Sequence, residues 1–132
     1  MKLDIFTFCD NAQDYNGKLV IVGTFNRISL PNIPGPAAPF SVAARILIEP
    51  SDDPASLSLH FTIKDVKSGN DIITPIESPI PSRKDGEKFG TLNLALNLGG
   101  VVFPNRGEYN AILAIGQNEW TSPLSVSASE KK

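Results

Sequence analysis

The chain has 132 residues, of which 41% are hydrophobic, and this suits one domain with one apolar core. Its formal net charge is −2, from 12 basic and 14 acidic residues, so charge gives no reason to expect nucleic-acid binding. No apolar run approaches the roughly 20 residues of a membrane-spanning helix. Composition therefore predicts a globular protein that binds neither nucleic acid nor membrane.

The first part of the chain predicts two strands joined by a tight turn. Residues 2–9 resemble a short signal peptide, but Asp4 interrupts the apolar run and no small-residue cleavage site follows. We therefore interpret them as the first strand and expect a cytoplasmic protein. Asn16-Gly17 indicates a turn. Residues 18–30 then predict a long second strand with a bulge or bend at Gly23.

The middle of the chain contains a proline-rich crossing and three further strands. Four prolines between residues 31 and 39 remove backbone donors, which predicts a stiff crossing loop or an edge cover. Residues 40–49 predict a strand that is apolar on both faces and needs extra cover, from a proline-rich crossing or from a partner. Residues 56–65 alternate between apolar and polar, and they predict a half-buried strand that a turn at residues 67–70 connects to a short strand near 72–76.

The last part of the chain contains a strand with leucine at every second position. The leucines of this strand, predicted over residues 88–98, are Leu92, Leu94, Leu96 and Leu98. Residues 108–115 and 120–127 predict a final hairpin. Residues 128–132 predict a frayed polar tail.

These elements together predict an all-β protein. About eight strands at this spacing are typical of a two-sheet antiparallel β-sandwich of the immunoglobulin or fibronectin kind, formed by one domain over residues 1–127. A single open sheet would alternate cleanly throughout, and this chain does not. A closed barrel is the alternative that the pattern leaves open.

Short turn and core motifs occur in the first and last strands. They are Cys9-Asp10, Asn16-Gly17-Lys18-Leu19, Gly23-Thr24-Phe25, Ile28 before the proline-rich loop, and Gly107-Glu108-Tyr109. These motifs resemble a family of small bacterial β-sandwich domains of unknown function, most strongly over residues 1–50. The resemblance implies the sandwich fold and a bacterial cytoplasmic setting, and it assigns no site residue.

Nucleophilic catalysis needs a base beside the nucleophile, and the chain has one histidine and one cysteine. His60 lies on the polar face of its strand, so we interpret it as a solvent-facing residue. Cys9 ends an apolar strand and has no basic neighbour in sequence, so we interpret it as a buried thiol, which fits a reducing compartment. The two residues provide no zinc-ligand spacing. We therefore predict no enzymatic activity, no catalytic residue, no metal site and no cofactor.

Calcium is the metal for which the sequence leaves an alternative. The candidate loop carboxylates are Asp10 with Asp14, Asp52 with Asp53, and Asp85 with Glu87. Two such loops that meet at one end of a sandwich would supply several oxygen ligands for Ca²⁺. The other interpretation is that these are ordinary turn residues, because Asp side chains bond to the backbone of their own turns.

Three residues are candidates for binding a ligand or a partner. Trp120 is the single tryptophan and lies beside the tip of the last hairpin, where an exposed ring would stack on a sugar or anchor a protein. Its alternation with Ser122 and Leu124 places it instead on the core-facing side. Asn93 and Asn97 share the polar face of the leucine-rich strand, and that face would either bind a polar ligand or face solvent.

Three hypotheses about function follow from these observations. We favour a non-enzymatic protein-interaction or scaffold module that binds another protein, or a second copy of itself, through a sheet edge or its loops. The alternative is a small-ligand or carbohydrate-binding β-sandwich, assisted by calcium, that uses Trp120 and the two asparagines. The third is a hydrolase with two loop carboxylates, which we favour least.

Overall fold

A computed structural model of the protein describes residues 1–49, 51–52, 57–80 and 90–129. This part of the chain is all-β, as predicted, and contains eleven strands. No helix in it is long and apolar enough to cross a membrane. In chain order the strands are β1 (Lys2–Tyr15), β2 (Lys18–Phe25), β3 (Arg27–Leu30), β4 (Gly35–Pro36), β5 (Phe40–Ile48), β6 (Ser58–Asp65), β7 (Ile76–Pro79), β8 (Gly90–Leu98), β9 (Val102–Phe103), β10 (Gly107–Ile115) and β11 (Asn118–Ala128).

The strand count exceeds the predicted eight for two local reasons. The predicted strand over residues 18–30 divides at Asn26, and two short strands pair with each other, β4 in the proline-rich crossing and β9 after β8. The strand expected near residues 72–76 lies later, at β7, because Pro75 has no backbone donor and the preceding residues turn back onto β6 instead.

Most strands belong to two main sheets. The four-stranded sheet has the order β2-β1-β5-β8, and the five-stranded sheet has the order β3-β11-β10-β6-β7. Neighbouring strands are antiparallel except β3 and β11, which are parallel. The chain crosses between the sheets after β2, and at this crossing the Asn26 carbonyl accepts a hydrogen bond from the Ser125 N–H.

The buried faces of both main sheets contribute to one hydrophobic cluster. On β5 the buried residues at even positions, from Phe40 to Ile48, belong to this cluster, as do the odd positions of β10 from Tyr109 to Ile115. A chain of aromatic rings crosses the cluster from Phe8 and Phe40 through Phe103 to Tyr109, with successive ring centroids 5.9, 6.3 and 5.0 Å apart. We call this cluster the main core. We call the side of the four-stranded sheet that faces away from the main core the outer face.

The β1–β2 hairpin bends back over this outer face. β1 pairs with β5 through Cys9, but from Asn11 to Tyr15 it pairs with β2 alone. The bend lies where Gly23 adopts a φ of +67°, a left-handed conformation that favours glycine. At the tip of the hairpin, the Gly17 carbonyl accepts a 3.0 Å hydrogen bond from Asn93 Nδ2 on β8, although β1 and β5 separate β2 from β8 in the sheet.

The folded-back hairpin covers the second apolar face of β5. A small cluster forms beneath it from the buried Cys9, Ala12 and Ala43, and Leu19 and Ile21 of the hairpin pack against this cluster. The cover that the sequence required for residues 40–49 therefore comes from the hairpin itself. The opposite side of the hairpin stays exposed, with Val20 at 45% and Val22 at 56% of their full accessible surface.

Candidate functional site

Trp120 lies on the core-facing side of β11. It is half-buried, packs against the main core and stands opposite Leu113 in the β10–β11 hairpin. The alternation with Ser122 and Leu124 therefore identified its side correctly, since both of those residues are buried. Because the Trp120 ring packs against the core, it presents less surface for stacking on a sugar than an exposed ring would.

Asn93 and Asn97 both lie on the outer face of the four-stranded sheet, and both bond within the chain. Asn93 Nδ2 donates to the hairpin tip, as described above, and Asn93 Oδ1 is buried without a hydrogen-bond partner in the described structure. Asn97 Oδ1 accepts a 2.5 Å hydrogen bond from the buried Ser41 hydroxyl on β5. The structure therefore brings the two asparagines onto one face and leaves Trp120 in the other main sheet.

His60 and Cys9 have the environments predicted for them. His60 faces away from the main core, with its Nδ1 3.2 Å from Glu77 Oε1 on the neighbouring strand β7. Cys9 is fully buried beneath the hairpin, and its thiol lies 3.7 Å from the Ser41 carbonyl. Burial raises the pKa of this thiol above its ordinary value of 9.0, and the neighbouring Asp10 carboxylate raises the pKa further. A raised pKa makes Cys9 a poor nucleophile.

Of the three candidate calcium ligands that the structure describes, Asp10 is exposed on β1 beside Gly23, and the other two serve as turn and end contacts. Asp14 Oδ1 accepts a hydrogen bond from the Gly17 N–H in the hairpin turn, and Asp52 Oδ2 lies 2.8 Å from the Met1 amino group. Asp53, Asp85 and Glu87 lie outside the described residues. In the described part of the chain, no three His, Cys, Asp or Glu side chains are grouped to hold a metal ion.

A cleft of about 300 Å³ beside the β6–β7 connection contains two carboxylates, Asp65 and Asp71. Asp65 is buried, and its oxygens accept hydrogen bonds from the Lys67 N–H at 3.0 Å and from Asn105 Nδ2 at 3.4 Å. Asp71 Oδ1 accepts a 2.7 Å hydrogen bond from the buried Thr62 hydroxyl. These two carboxylates therefore have a structural role, because they bind the turn and the strand ends around the cleft.

The edges of the two main sheets differ in how well they are protected against pairing with another chain. An edge strand presents unpaired N–H and C=O groups, and proteins protect such edges with charges, prolines, bulges or short lengths. In the described residues, β3 and β7 have four residues each; β3 contains Arg27, and β7 contains Glu77 and Pro79. The edge strand β2 contains Lys18 and the left-handed Gly23.

The β8 strand has none of these protections. It pairs with β5 in nine consecutive residue pairs, without a bulge, and with no other strand of the described structure. Its sequence, GTLNLALNL, contains no charged residue and no proline. Leu94, Leu96 and Leu98 pack against the main core but are only half-buried. We call the unpaired side of Gly90–Leu98 the β8 edge, and chemically it can hydrogen-bond the backbone of an added strand.

The hairpin tip lies beside the β8 edge. Gly17 contacts Asn93 of β8, and Tyr15, two residues earlier, is 66% exposed. An added strand would therefore meet the side of β8 that no strand of the described residues covers, near the hairpin tip. Asn93 and Asn97 were predicted from the sequence, whereas the edge itself was not, although the absence of charge from residues 90–98 is visible in the sequence.

Comparison with known proteins identifies a family without an assigned activity. No curated protein matches the chain. The model of DUF6941, a family of unknown function, matches residues 4–127. This match confirms the resemblance to a family of unknown function. The chain belongs to the DUF6941 family of unknown function.

Proposed function

We propose that the protein is a non-enzymatic interaction or scaffold module that binds an extended protein segment as an additional strand along the β8 edge. The observation that carries this proposal is the contrast among the sheet edges. Of the four main-sheet edge strands in the described residues, three contain a charge and are either short or kinked, whereas β8 is long, regular and uncharged. Because exposed edges of this kind pair readily, we expect the protein to use β8 rather than leave it free.

We propose in addition that the fold is an immunoglobulin- or fibronectin-like β-sandwich. Two features support this. Both main sheets contribute buried residues to one core, and the Tyr109 hydroxyl at the start of β10 donates a 2.6 Å hydrogen bond to the Asn105 carbonyl four residues upstream. A tyrosine that bonds back to the preceding corner in this way is a recurrent feature of such sandwiches. Sandwich domains of this kind serve many roles, so the function rests on the edge and not on the fold.

We propose a cytoplasmic location from the state of the single cysteine. Cys9 is a free thiol, fully buried beneath the hairpin. Proteins that work in oxidising compartments use cysteines mainly as disulfides, and a chain of this size with one buried thiol fits a reducing compartment. Fractionation of the native cells, followed by immunodetection of the chain, tests this location.

The small-ligand alternative and the hydrolase alternative receive less support. Trp120 packs against the core, and both asparagines bond within the chain. The carboxylates of the cleft, Asp65 and Asp71, accept hydrogen bonds from neighbouring residues. Binding and catalysis of these kinds would need such groups to face a ligand.

Site-specific photo-crosslinking in native cells tests the proposed edge. A photoreactive phenylalanine analogue replaces Thr91 or Asn97, two exposed residues of β8. Matched controls carry it at Val20 or Val22, two exposed residues of β2. We expect crosslinks to protein from the two β8 positions and few from the two β2 positions. Equal crosslinking from both edges, or none from β8, would contradict the proposal.

A further inference from the structure

We infer that the strand that occupies the β8 edge is β8 of a second copy of this chain, in antiparallel orientation about a two-fold axis. This inference rests on the proposed function, because it names the partner of the same edge. It would join the two four-stranded sheets into one continuous sheet that crosses the interface.

Charge is the first reason to favour an identical strand. When a strand pairs with its own copy, any charge it contains approaches the same charge on the partner, and like charges across a strand pair are destabilising. Of the four main-sheet edge strands in the described structure, β2 contains Lys18, β3 contains Arg27 and β7 contains Glu77. The β8 strand contains no charge, so it alone among them can pair with itself without this repulsion.

The alternation of side chains is the second reason. A two-fold axis between antiparallel strands places each residue opposite one that points to the same face of the sheet. The half-buried Leu94, Leu96 and Leu98 of one copy would then adjoin the leucine row of the other, on the side of the main core. On the outer face the exposed polar residues Thr91 and Asn97 lie on either side of the hairpin tip that contacts Asn93, and they would adjoin the same groups of the other copy. Apolar surface therefore meets apolar surface, and polar surface meets polar surface.

Closure of the assembly is the third reason. A two-fold interface uses the same surface on both copies, so pairing through β8 leaves the two β2 strands as the outer edges of the joined sheet. The left-handed Gly23, where β2 bends away from the sheet, protects these edges from further pairing. We therefore expect a closed dimer and not an open filament.

Sedimentation equilibrium of the full chain tests the inference. The chain has a mass of 14.2 kDa, and we expect the wild-type protein to sediment with twice that mass. The double variant Thr91→Lys, Asn97→Lys adds charge to both ends of the β8 edge, and we expect its mass to fall two-fold, to that of one chain. The double variant Val20→Lys, Val22→Lys adds the same charge to exposed positions of β2, and we expect it to remain dimeric.

Two further controls keep the outcome interpretable. Ser41→Ala on β5 removes the hydrogen bond with Asn97 without altering β8, and we expect it to remain dimeric. Thermal unfolding of each variant shows whether the fold is retained. A monomeric wild-type protein, larger open-ended assemblies, or a dimer that survives the two lysines on β8 would each overturn the inference.

Photo-crosslinking separates failure of this inference from failure of the proposed function. Crosslinks from Thr91 or Asn97 to a product of twice the chain mass support the second copy. Crosslinks from these positions to a different protein, together with a monomeric wild type, overturn the second copy and support the proposed edge. Absence of any crosslink from these positions overturns both.

Discussion

Replacement of Tyr109 by phenylalanine removes one hydroxyl from a fully described set of contacts. Tyr109 is 1% exposed and its ring packs edge-on against Phe103. The hydroxyl donates to the Asn105 carbonyl at 2.6 Å and accepts from the Asn105 N–H at 3.1 Å. Phenylalanine keeps the ring and its packing, so Tyr109→Phe isolates the contribution of these two bonds.

The expected loss of stability follows from what the substitution leaves behind. A hydrogen bond contributes about 1 kcal/mol net, and a buried polar group left without a partner costs about 1–3 kcal/mol. Asn105 is itself exposed, so water can replace part of what the hydroxyl supplied. We therefore expect Tyr109→Phe to lower the free energy of unfolding by about 1–2 kcal/mol. In a chain of this length that corresponds to a fall in Tm of roughly 3–10 °C.

Urea denaturation at neutral pH measures this loss, with Tyr15→Phe as the matched control. The chain has two tyrosines, and Tyr15 is 66% exposed, so we expect its variant to stay within about 0.5 kcal/mol of wild type. The m-value should not change, because the surface exposed on unfolding is the same. Equal stability of the two variants would refute the role that we assign to the Tyr109 hydroxyl.

The pH dependence provides a second test of the same residue. Burial raises the pKa of the Tyr109 phenol above its ordinary value of 10.0, and the Asp65 carboxylate also raises this pKa, whereas the bond to Asn105 lowers it. The unfolded phenol therefore ionises first, and its ionisation favours unfolding as the pH rises above 10.0. Phenylalanine has no such ionisation. We expect the stability difference between wild type and Tyr109→Phe to shrink above that pH, and a constant difference would contradict this.

Three further predictions concern the hairpin and the thiol beneath it. Gly23→Ala forces a left-handed φ on alanine and brings its methyl group against the Asp10 carboxylate. We therefore expect urea denaturation to show a loss of at least about 1–2 kcal/mol in the free energy of unfolding. Gly99→Ala is the control, and it should be nearly neutral because its methyl group meets no neighbour. Asn93→Ala removes the hydrogen bond that holds the hairpin tip on β8, so the hairpin should open more often above Cys9. We expect N-ethylmaleimide to alkylate Cys9 about five-fold faster. An unchanged rate would count against the hairpin as the cover of Cys9. Because the pKa of Cys9 is raised, stability should fall as the pH rises above 9.0, and Cys9→Ala should remove this part of the loss; identical pH curves would disprove the assignment.

The positions of most strands followed from the sequence because alternation along a strand is a local property. Side chains change face at every residue of a strand, and along β10 burial alternates in step with the sequence from Tyr109 to Ile115. The Asn16-Gly17 turn was predictable for the same reason, since both residues adopt positive φ, at 52° and 81°. Trp120 was placed on its correct side by counting two residues at a time from Leu124.

The order of the strands and the identity of the edges were decided by tertiary structure. Pairing joins residues that are far apart in the chain, as where β1 meets β5, and periodicity contains no information about which strands become neighbours. The sequence predicted that β5 needed cover on a second face, but it did not predict that the β1–β2 hairpin would fold back to supply it.

The candidate site divides in the same way. The amino-acid sequence of β8 by itself determined that this strand would be uncharged, regular and apolar on one face. Only the fold decided that, within the described residues, β8 would have a neighbouring strand on one side alone, with the hairpin tip against its outer face. An exposed edge is a property of a strand's place in a sheet, so it exists only once all the strands have paired.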